Sequence, residues 1–177
     1  MKGVSVTRLI TPDDAPALTR LVRANREFLA PWDPVRGADY FTEAGQRADI
    51  LGSLTQYAQG VRVPHLILRE SGGIAGRITL NTVVRGAFQS ASVGYWVGAA
   101  DNGRGLATAA VRVMIQLAFH DLGLHRLEAG TLVHNVRSQR VLEHNGFVRF
   151  GLAPEYLNIA GRWQDHVLYQ LINSRPG

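Results

Sequence analysis

A glycine-rich turn between a short apolar run and a long apolar helix constrains the fold of this chain more than any other segment. Residues 92–97 predict a buried strand, and the pattern from residue 104 to about 122 predicts a helix. Between them lies the turn 102–108, in which Gly103 and Gly105 allow tight backbone geometry. The first amides of a helix lack partners within it, and the helix dipole favours negative charge there. The pattern predicts an anion-binding turn, and a packing joint without a ligand remains the alternative.

Two familiar phosphate-binding turns are excluded. A dinucleotide fingerprint requires Gly or Ala three residues after Gly105, where this chain has Thr108. A P-loop requires Gly-Lys followed by Ser or Thr, and the only lysine is Lys2.

The composition indicates one folded domain, which we predict to span residues 1–177. Hydrophobic residues make up 46% of the chain and charged residues 19%, which is typical of a globular protein. No apolar run reaches the ~18 residues that a membrane span needs, and the first residues lack a signal-peptide core. We therefore expect a cytoplasmic protein without a membrane partner. The oligomeric state, monomer or dimer, is left open.

The charge and the residue types narrow the possible partners. The net charge of +5 favours anionic partners such as phosphates or ribosomal surfaces, with a generic basic protein as the alternative. We expect no direct reading of nucleic acid.

The absence of cysteine excludes disulfides, thiolate zinc sites and a cysteine nucleophile, and the six scattered histidines predict no metal site.

The order of predicted elements indicates a mixed α/β sheet, with antiparallel strands first and a strand-helix-strand unit afterwards. Strands are predicted at residues 4–10, 65–70, 74–84, 90–97, 126–133, 147–152 and 163–171. Helices are predicted at residues 11–28, 42–59, 104–122 and 136–144. The second helix is expected to face inward with Ile50, Leu51, Leu54 and Tyr57.

A second helix start is predicted beside the anion turn. Asn135 fits the N-cap position of the helix at 136–144, and Ser138 falls at its third residue. Because this helix follows the next strand of the sheet, both helix starts should open on the same side. Ser138 has two interpretations: it caps the helix, or its hydroxyl serves an anion.

Two motifs resemble those of the GNAT acyl-CoA N-acyltransferases. The turn 102–107 is similar to their pyrophosphate loop, Gln/Arg-x-x-Gly-x-Gly/Ala, from which Asn102 departs at the first position. The segment 135–147 is similar to their Asn-x-x-Ser…Leu-Glu-Lys-x-Gly-Phe run. Nearly the whole chain resembles the Rim-type N-acetyltransferases of ribosomal protein N-termini (RimJ and RimL types), and the RimJ type above all. The matching segments are 25–36, 81–88, 124–126 and 156–168.

This resemblance implies a GNAT-like, mixed and mostly antiparallel sheet flanked by helices, with acetyl-CoA as cosubstrate. It implies transfer of an acetyl group to the N-terminal α-amine of a protein. The implied acetyl-CoA-binding residues are Val97, Asn102, Gly103, Arg104, Gly105, Leu106, Ala107, Thr108 and Asn135. Among them, a backbone amide near Val97 would stabilise the oxyanion, and Asn135 would hold the pantetheine amide.

The resemblance also suggests catalytic groups. Glu155 belongs to a Glu-Tyr-Leu-Asn run that resembles the RimL type, in which that glutamate is a proposed base. A weak base is enough, because an α-amine has a pKa near 8 and a lysine near 10.4. A solvated loop glutamate is the alternative. Ser138 would protonate or stabilise the departing thiolate. Without cysteine, we expect direct attack in a ternary complex.

Three residues are expected to bind the acceptor, with ordinary packing or solvation as the alternative for each: Trp32, Arg36 and Arg85. His134 and His166 are either structural or proton carriers. Three functions therefore remain: an acetyltransferase of protein N-termini, a GNAT enzyme acting on a small amine, and a non-catalytic ribosome-associated protein.

Overall fold

The computed structural model describes residues 5–174, and its central element is one sheet of seven strands. The strand order is β1-β2-β3-β4-β5-β7-β6, and every neighbouring pair is antiparallel except β4 and β5. The predicted class, a mixed and mostly antiparallel sheet flanked by helices, is confirmed. Among these residues, no helix is long and apolar enough to cross a membrane.

The strands are β1 (Thr7–Leu9), β2 (Val63–Leu68), β3 (Ile74–Val84), β4 (Ser90–Val97), β5 (Arg126–Leu132), β6 (Val148–Ile159) and β7 (Arg162–Ile172). The helices are α1 (Ala15–Ala24), α2 (Arg26–Leu29), α3 (Glu43–Ala58), α4 (Leu106–Gln116) and α5 (Val136–His144).

The two faces of the sheet carry different helices, because successive side chains of a strand point to opposite faces. On β3, Ile78 and Leu80 belong to the core cluster that contains Met114 of α4 and Leu142 of α5. Arg77, directly before Ile78, instead points to the other face and bonds to Asp49 and Ser53 of α3. Helices α1 and α3 therefore cover one face, and α4 and α5 cover the other.

The parallel pair β4–β5 is short. The two strands pair over residues 90–92 of β4 and 126–128 of β5. Beyond Ser92, β4 continues for five residues to Val97 without a partner on this side. The strands therefore separate toward their carboxyl ends, and a gap opens through the sheet between its two helical faces.

The first predicted helix is interrupted at Asn25. The residue is 7% exposed, and its backbone conformation is not helical, so α1 ends before it and α2 begins after it. Its side chain donates to the carbonyl of Leu21 (2.9 Å) and accepts from the amide of Ala99 (2.8 Å). This buried amide fixes the end of α1 to the segment that follows β4.

Strand β6 corrects the sequence prediction. It continues to Ile159, well past the predicted end at residue 152, because a bulge between Ala153 and Leu157 allows pairing with β7 to resume. Glu155 therefore lies within a strand and not in a loop. Residue 4 of the first predicted strand lies outside the described residues.

The helix predictions are otherwise close. Helix α4 continues as a π-helical turn, Leu117–Asp121, and its polar residues Arg112, Gln116 and His120 are exposed along one side. On α3, Ile50 is buried as expected, but Leu51 is 49% exposed because it is rotated about 100° from Ile50. Tyr57, in the last turn, is 43% exposed.

Candidate active site

The glycine-rich turn has the geometry that its sequence predicts. Gly103 and Gly105 have φ angles of 77° and 78°, a region that side-chain-bearing residues rarely occupy. Gly105 is the N-cap of α4, directly before the first helical residue, Leu106. A Cβ atom added to Gly105 would meet no protein atom within 4 Å. The backbone at the start of α4 is therefore open to a ligand.

A cleft of about 450 Å³ lies over this turn; we call it the loop cleft. It is lined by Val97, Asp101, Asn102, Gly103, Gly105, Leu106, Ala107, Thr108, Arg137, Arg140, Val141 and His144. The last four come from α5. Arg137 and Arg140 thus add two guanidinium groups to the unpaired amides of α4. Sequence reasoning missed them, although their spacing on the first turns of α5 was visible.

An ion pair with a buried carboxylate holds the turn in place. Asp101 is 3% exposed and accepts two hydrogen bonds from Arg69, at 2.8 Å from Nε and 2.6 Å from Nη2. The Arg69 guanidinium holds the pKa of Asp101 below its usual range, and the charge of Arg104 acts in the same direction. Asp101 is therefore ionised but neutralised, so it does not repel an anion at the turn.

Two further clefts continue from the loop cleft. The middle cleft, about 390 Å³, extends to Ser138 and shares with the loop cleft Val97, Asn102, Ala107, Arg137 and Val141. The polar cleft, about 520 Å³, reaches the α1 and α3 face of the sheet, where Arg77 and Asp49 line it. The middle and polar clefts share Leu29, Trp32, Tyr95, Trp96, Asn135 and Ser138. A ligand on the turn and a ligand on the opposite face would therefore meet beside Ser138.

Ser138 is held from two sides at this junction. The side-chain oxygen of Asn135 accepts a hydrogen bond from the Ser138 amide (3.1 Å), which confirms Asn135 as the N-cap of α5. The hydroxyl groups of Tyr95 and Ser138 are 2.9 Å apart, and Tyr95 also contacts the Ser138 carbonyl at 3.1 Å. Burial raises the pKa of Tyr95 to about 12, so the phenol remains protonated and can donate. Sequence reasoning did not identify Tyr95.

Trp32 and Arg36 both lie at the polar cleft. Trp32 also lines the middle cleft, and its ring centroid is 5.4 Å from that of His134. Arg36 forms an ion pair with Asp33 (2.7 Å), and its guanidinium lies 4.7 Å from the centre of the Tyr40 ring. The structure therefore brings these two candidates together.

Arg85 lies elsewhere. Its guanidinium donates to the carbonyl of Leu122 (2.6 Å), beyond the C-terminal end of α4. The anion turn is at the other end of that helix, and Arg85 lines none of the three clefts. The structure thus separates Arg85 from the other candidates.

The two proton-accepting candidates have different surroundings. Glu155 is exposed, has a φ angle of 46° in the bulge of β6, and lines none of the three clefts. His166 is 3% exposed and lines the polar cleft. Its Nδ1 is 2.9 Å from the carbonyl oxygen of Gln164. Because a carbonyl only accepts, Nδ1 carries the proton, and Nε2 of the neutral ring keeps its lone pair.

The loop and middle clefts fit acetyl-CoA. Unpaired amides at the start of α4, together with Arg137 and Arg140, suit a pyrophosphate group. The middle cleft leads from this anion site to Ser138 and has a largely apolar lining that includes Phe28 and Trp32. Among residues 5–174, no group of three or more His, Asp or Glu side chains is arranged to hold a metal ion.

Comparison with known proteins agrees with this geometry. The family model for the Acetyltransferase (GNAT) domain matches residues 6–148. The probable N-acetyltransferase YjcK of Bacillus subtilis is 35% identical over 98% of this chain and 97% of its own length. The [ribosomal protein uS5]-alanine N-acetyltransferase of Escherichia coli is 34% identical over 94% of this chain and 86% of its own length.

A solved structure extends the comparison to the bound cosubstrate. Mycobacterium smegmatis RimJ, determined in complex with CoA-disulfide, has a TM-score of 0.89 at 33% identity, covering 94% of this chain and 80% of that one. Because the domain model spans most of the sequence and these relatives align with nearly all of it, the chain belongs to the GNAT acetyltransferase family.

Proposed function

We propose that this protein transfers the acetyl group of acetyl-CoA to the N-terminal α-amine of a protein, and that the acceptor is a ribosomal protein. The observation that carries the proposal is the position of Ser138, where the middle cleft from the anion turn meets the polar cleft from the opposite face. The names of the E. coli relative and of M. smegmatis RimJ support the choice of acceptor. Such an acceptor places the reaction in the cytoplasm.

The polar cleft favours a peptide over a polyamine. It is lined by three arginines and two aspartates, whereas a polyamine would need an excess of carboxylates. An N-terminal amine also needs less help than a lysine, since its pKa is near 8. The excess of positive charge in the polar cleft would lower the pKa of the acceptor amine further, and this favours its neutral, nucleophilic form.

The two helix starts would hold the cosubstrate. The amides of residues 104–108 and the guanidinium groups of Arg137 and Arg140 would bind the pyrophosphate. Asn135 uses its side-chain oxygen as the cap of α5, which leaves its NH₂ group to donate to a pantetheine carbonyl. A backbone amide near Val97, at the end of β4, would stabilise the oxyanion.

Ser138 would protonate the leaving group. As the C–N bond forms and the C–S bond breaks, the sulfur gains negative charge and the amine loses a proton. The Ser138 hydroxyl would give its proton to the sulfur while the Tyr95 phenol, 2.9 Å away, donates a hydrogen bond to the serine oxygen, and solvent would then return a proton to Ser138. The amine proton goes to a base.

Two residues compete as that base. Glu155 remains the proposal from sequence, and its exposed position would require a bridging water or a peptide that covers it. His166 lines the cleft with an available Nε2 lone pair. Because both proposals concern one proton, one pair of variants decides between them.

The proposed function predicts acetylation of free protein N-termini only. A purified protein supplied with acetyl-CoA should acetylate peptides beginning with Ala or Ser. It should not modify the same peptide with a blocked N-terminus and an internal lysine. Mass spectrometry of protein N-termini from cells with and without the gene would identify the acceptor. Efficient turnover of small amines but not of these peptides would contradict the proposal.

We predict that Gly105→Val weakens CoA binding by more than about tenfold. Valine at this positive φ costs about 1–2 kcal/mol and fills the space above the turn. Gly86→Val is the matched control, because Gly86 has a φ angle of 69° in an open turn outside the three clefts. Calorimetry that finds equal CoA affinity in both folded variants would exclude the turn as the pyrophosphate site.

We predict that Ser138→Ala lowers kcat more than it raises KM for acetyl-CoA. A group that acts on the departing sulfur stabilises the transition state and not the ground state. The variant keeps the amide that Asn135 caps, so α5 should remain intact. Tyr95→Phe should cause a smaller loss in kcat, since it removes only the hydrogen bond to the Ser138 oxygen. Unchanged kcat in Ser138→Ala would leave Ser138 a structural role alone.

We predict that replacing the base lowers kcat by about 10²–10³ at neutral pH, the range of general-base catalysis. The loss should shrink above about pH 8, where an α-amine is largely neutral without help. The experiment compares the kcat profiles of Glu155→Gln and His166→Gln with wild type on an Ala-initiated peptide. The variant whose profile parallels wild type without loss is not the base. A loss that is constant at every pH indicates substrate positioning instead.

A further inference from the structure

The charges of the polar cleft leave one cation without a counter-ion. Arg36 pairs with Asp33 at 2.7 and 3.0 Å. Arg77 pairs with Asp49 and also donates to the hydroxyl of Ser53. Arg62, the third arginine of the cleft, forms no ion pair with any residue of the described chain.

The Arg62 guanidinium is also poorly satisfied by hydrogen bonds. Its Nη1 donates to the side-chain oxygen of Gln56 at 3.1 Å. Its Nε is buried without an acceptor among residues 5–174, and Nη2 donates to none of these residues either. Burial lowers the pKa of Arg62 and the nearby charge of Arg77 lowers it further, while Asp49, which is paired with Arg77, offsets these two effects only in part. A carboxylate brought into the cleft would relieve this unfavourable state, because it supplies a counter-charge and an acceptor for Nη2.

Arg62 lies within reach of a bound peptide. It immediately precedes β2, whose Val63 pairs with Leu80, which in turn pairs with Val93 of β4. Arg62 therefore lies two strands away from β4 and about three residues along the strand direction from Tyr95. At ordinary strand spacing and rise, the backbones of these two residues are roughly 14 Å apart. An extended peptide covers about 3.3–3.6 Å per residue, so side chains at about positions two to four would approach Arg62.

We propose that Arg62 selects acceptors that carry a carboxylate within the first residues after the acetylated terminus. This inference rests on the proposed function, because it concerns the acceptor of the same reaction. Arg36 and Arg77 are already occupied by aspartates, so Arg62 is the cation that the acceptor would pair with. Acceptors with a lysine at the same positions would add a second cation to the cleft and would be disfavoured.

The test uses matched peptides that begin with Ala and contain Glu, Gln or Lys at one of positions two to four. Wild-type kcat/KM should be about tenfold higher for the best Glu peptide than for its Gln partner, as one charge-assisted hydrogen bond supplies. The Lys peptide should be the poorest. The Glu-to-Gln ratio should fall with added salt, because exposed charges are screened.

The variants assign this preference to one residue. Arg62→Gln should bring the Glu-to-Gln ratio close to one while the Gln peptide is still acetylated. Arg62→Lys should keep part of the preference, since it retains the charge without the planar fork. Arg20→Gln, an exposed position on α1, should leave the ratio unchanged.

The outcomes separate this inference from the proposed function. If Ala peptides are acetylated equally well with Glu and Gln at every position, the function stands and the role of Arg62 is refuted. An Arg62→Gln variant that keeps the full preference refutes it as well. If no peptide is acetylated, both proposals fail.

Discussion

The short parallel pairing between β4 and β5 is the constraint on which the site depends. Parallel strands need a crossover, here α4, and parallel strands bring both of their carboxyl ends to one edge. Because pairing stops at Ser92, that edge opens into a gap and does not close as a sheet. The starts of α4 and α5 border the gap on one face, and the cleft with Arg77 and Arg62 borders it on the other. Two substrates can thus meet through the sheet, with Ser138 and Tyr95 beside the meeting point.

Ion pairs determine which charges are available at each side of the gap. Asp101 lies within the anion turn, yet Arg69 neutralises it, so the turn presents only amides and the guanidinium groups of α5. On the opposite face, two aspartates neutralise two arginines and leave Arg62. A buried carboxylate next to an anion site would normally weaken that site, since like charges repel at short range. Arg69, in the β2–β3 hairpin, removes this repulsion by pairing with Asp101.

The sequence carried enough information for the element order, the anion turn and the cap at Asn135, because these depend on local signals. Glycine at positive φ, an apolar helix with one polar stripe, and Asn three residues before Ser are all short-range patterns. The contacts of Tyr95 with Ser138, Arg69 with Asp101 and Arg77 with Asp49 join residues 28 to 43 positions apart, and no local pattern predicts them. The position of Glu155 was misjudged because a bulge extended β6 where the sequence suggested an end. Arg85 was placed with the site by resemblance alone, whereas its partner is the carbonyl of Leu122.

The gap also affects how firmly the two parts of the sheet are joined. Three residue pairs connect β4 to β5. The two parts of the sheet are therefore held together mainly by the apolar contacts of α4 and by any ligand bound in the clefts. A cosubstrate that contacts the turn after β4 and the helix after β5 would bridge the two parts of the sheet and stabilise their association. Its binding free energy adds to the free energy of unfolding, by about 2.7 kcal/mol when its concentration is one hundred times the Kd. The supply of acetyl-CoA in the cell would then influence the lifetime of this enzyme as well as its rate of turnover.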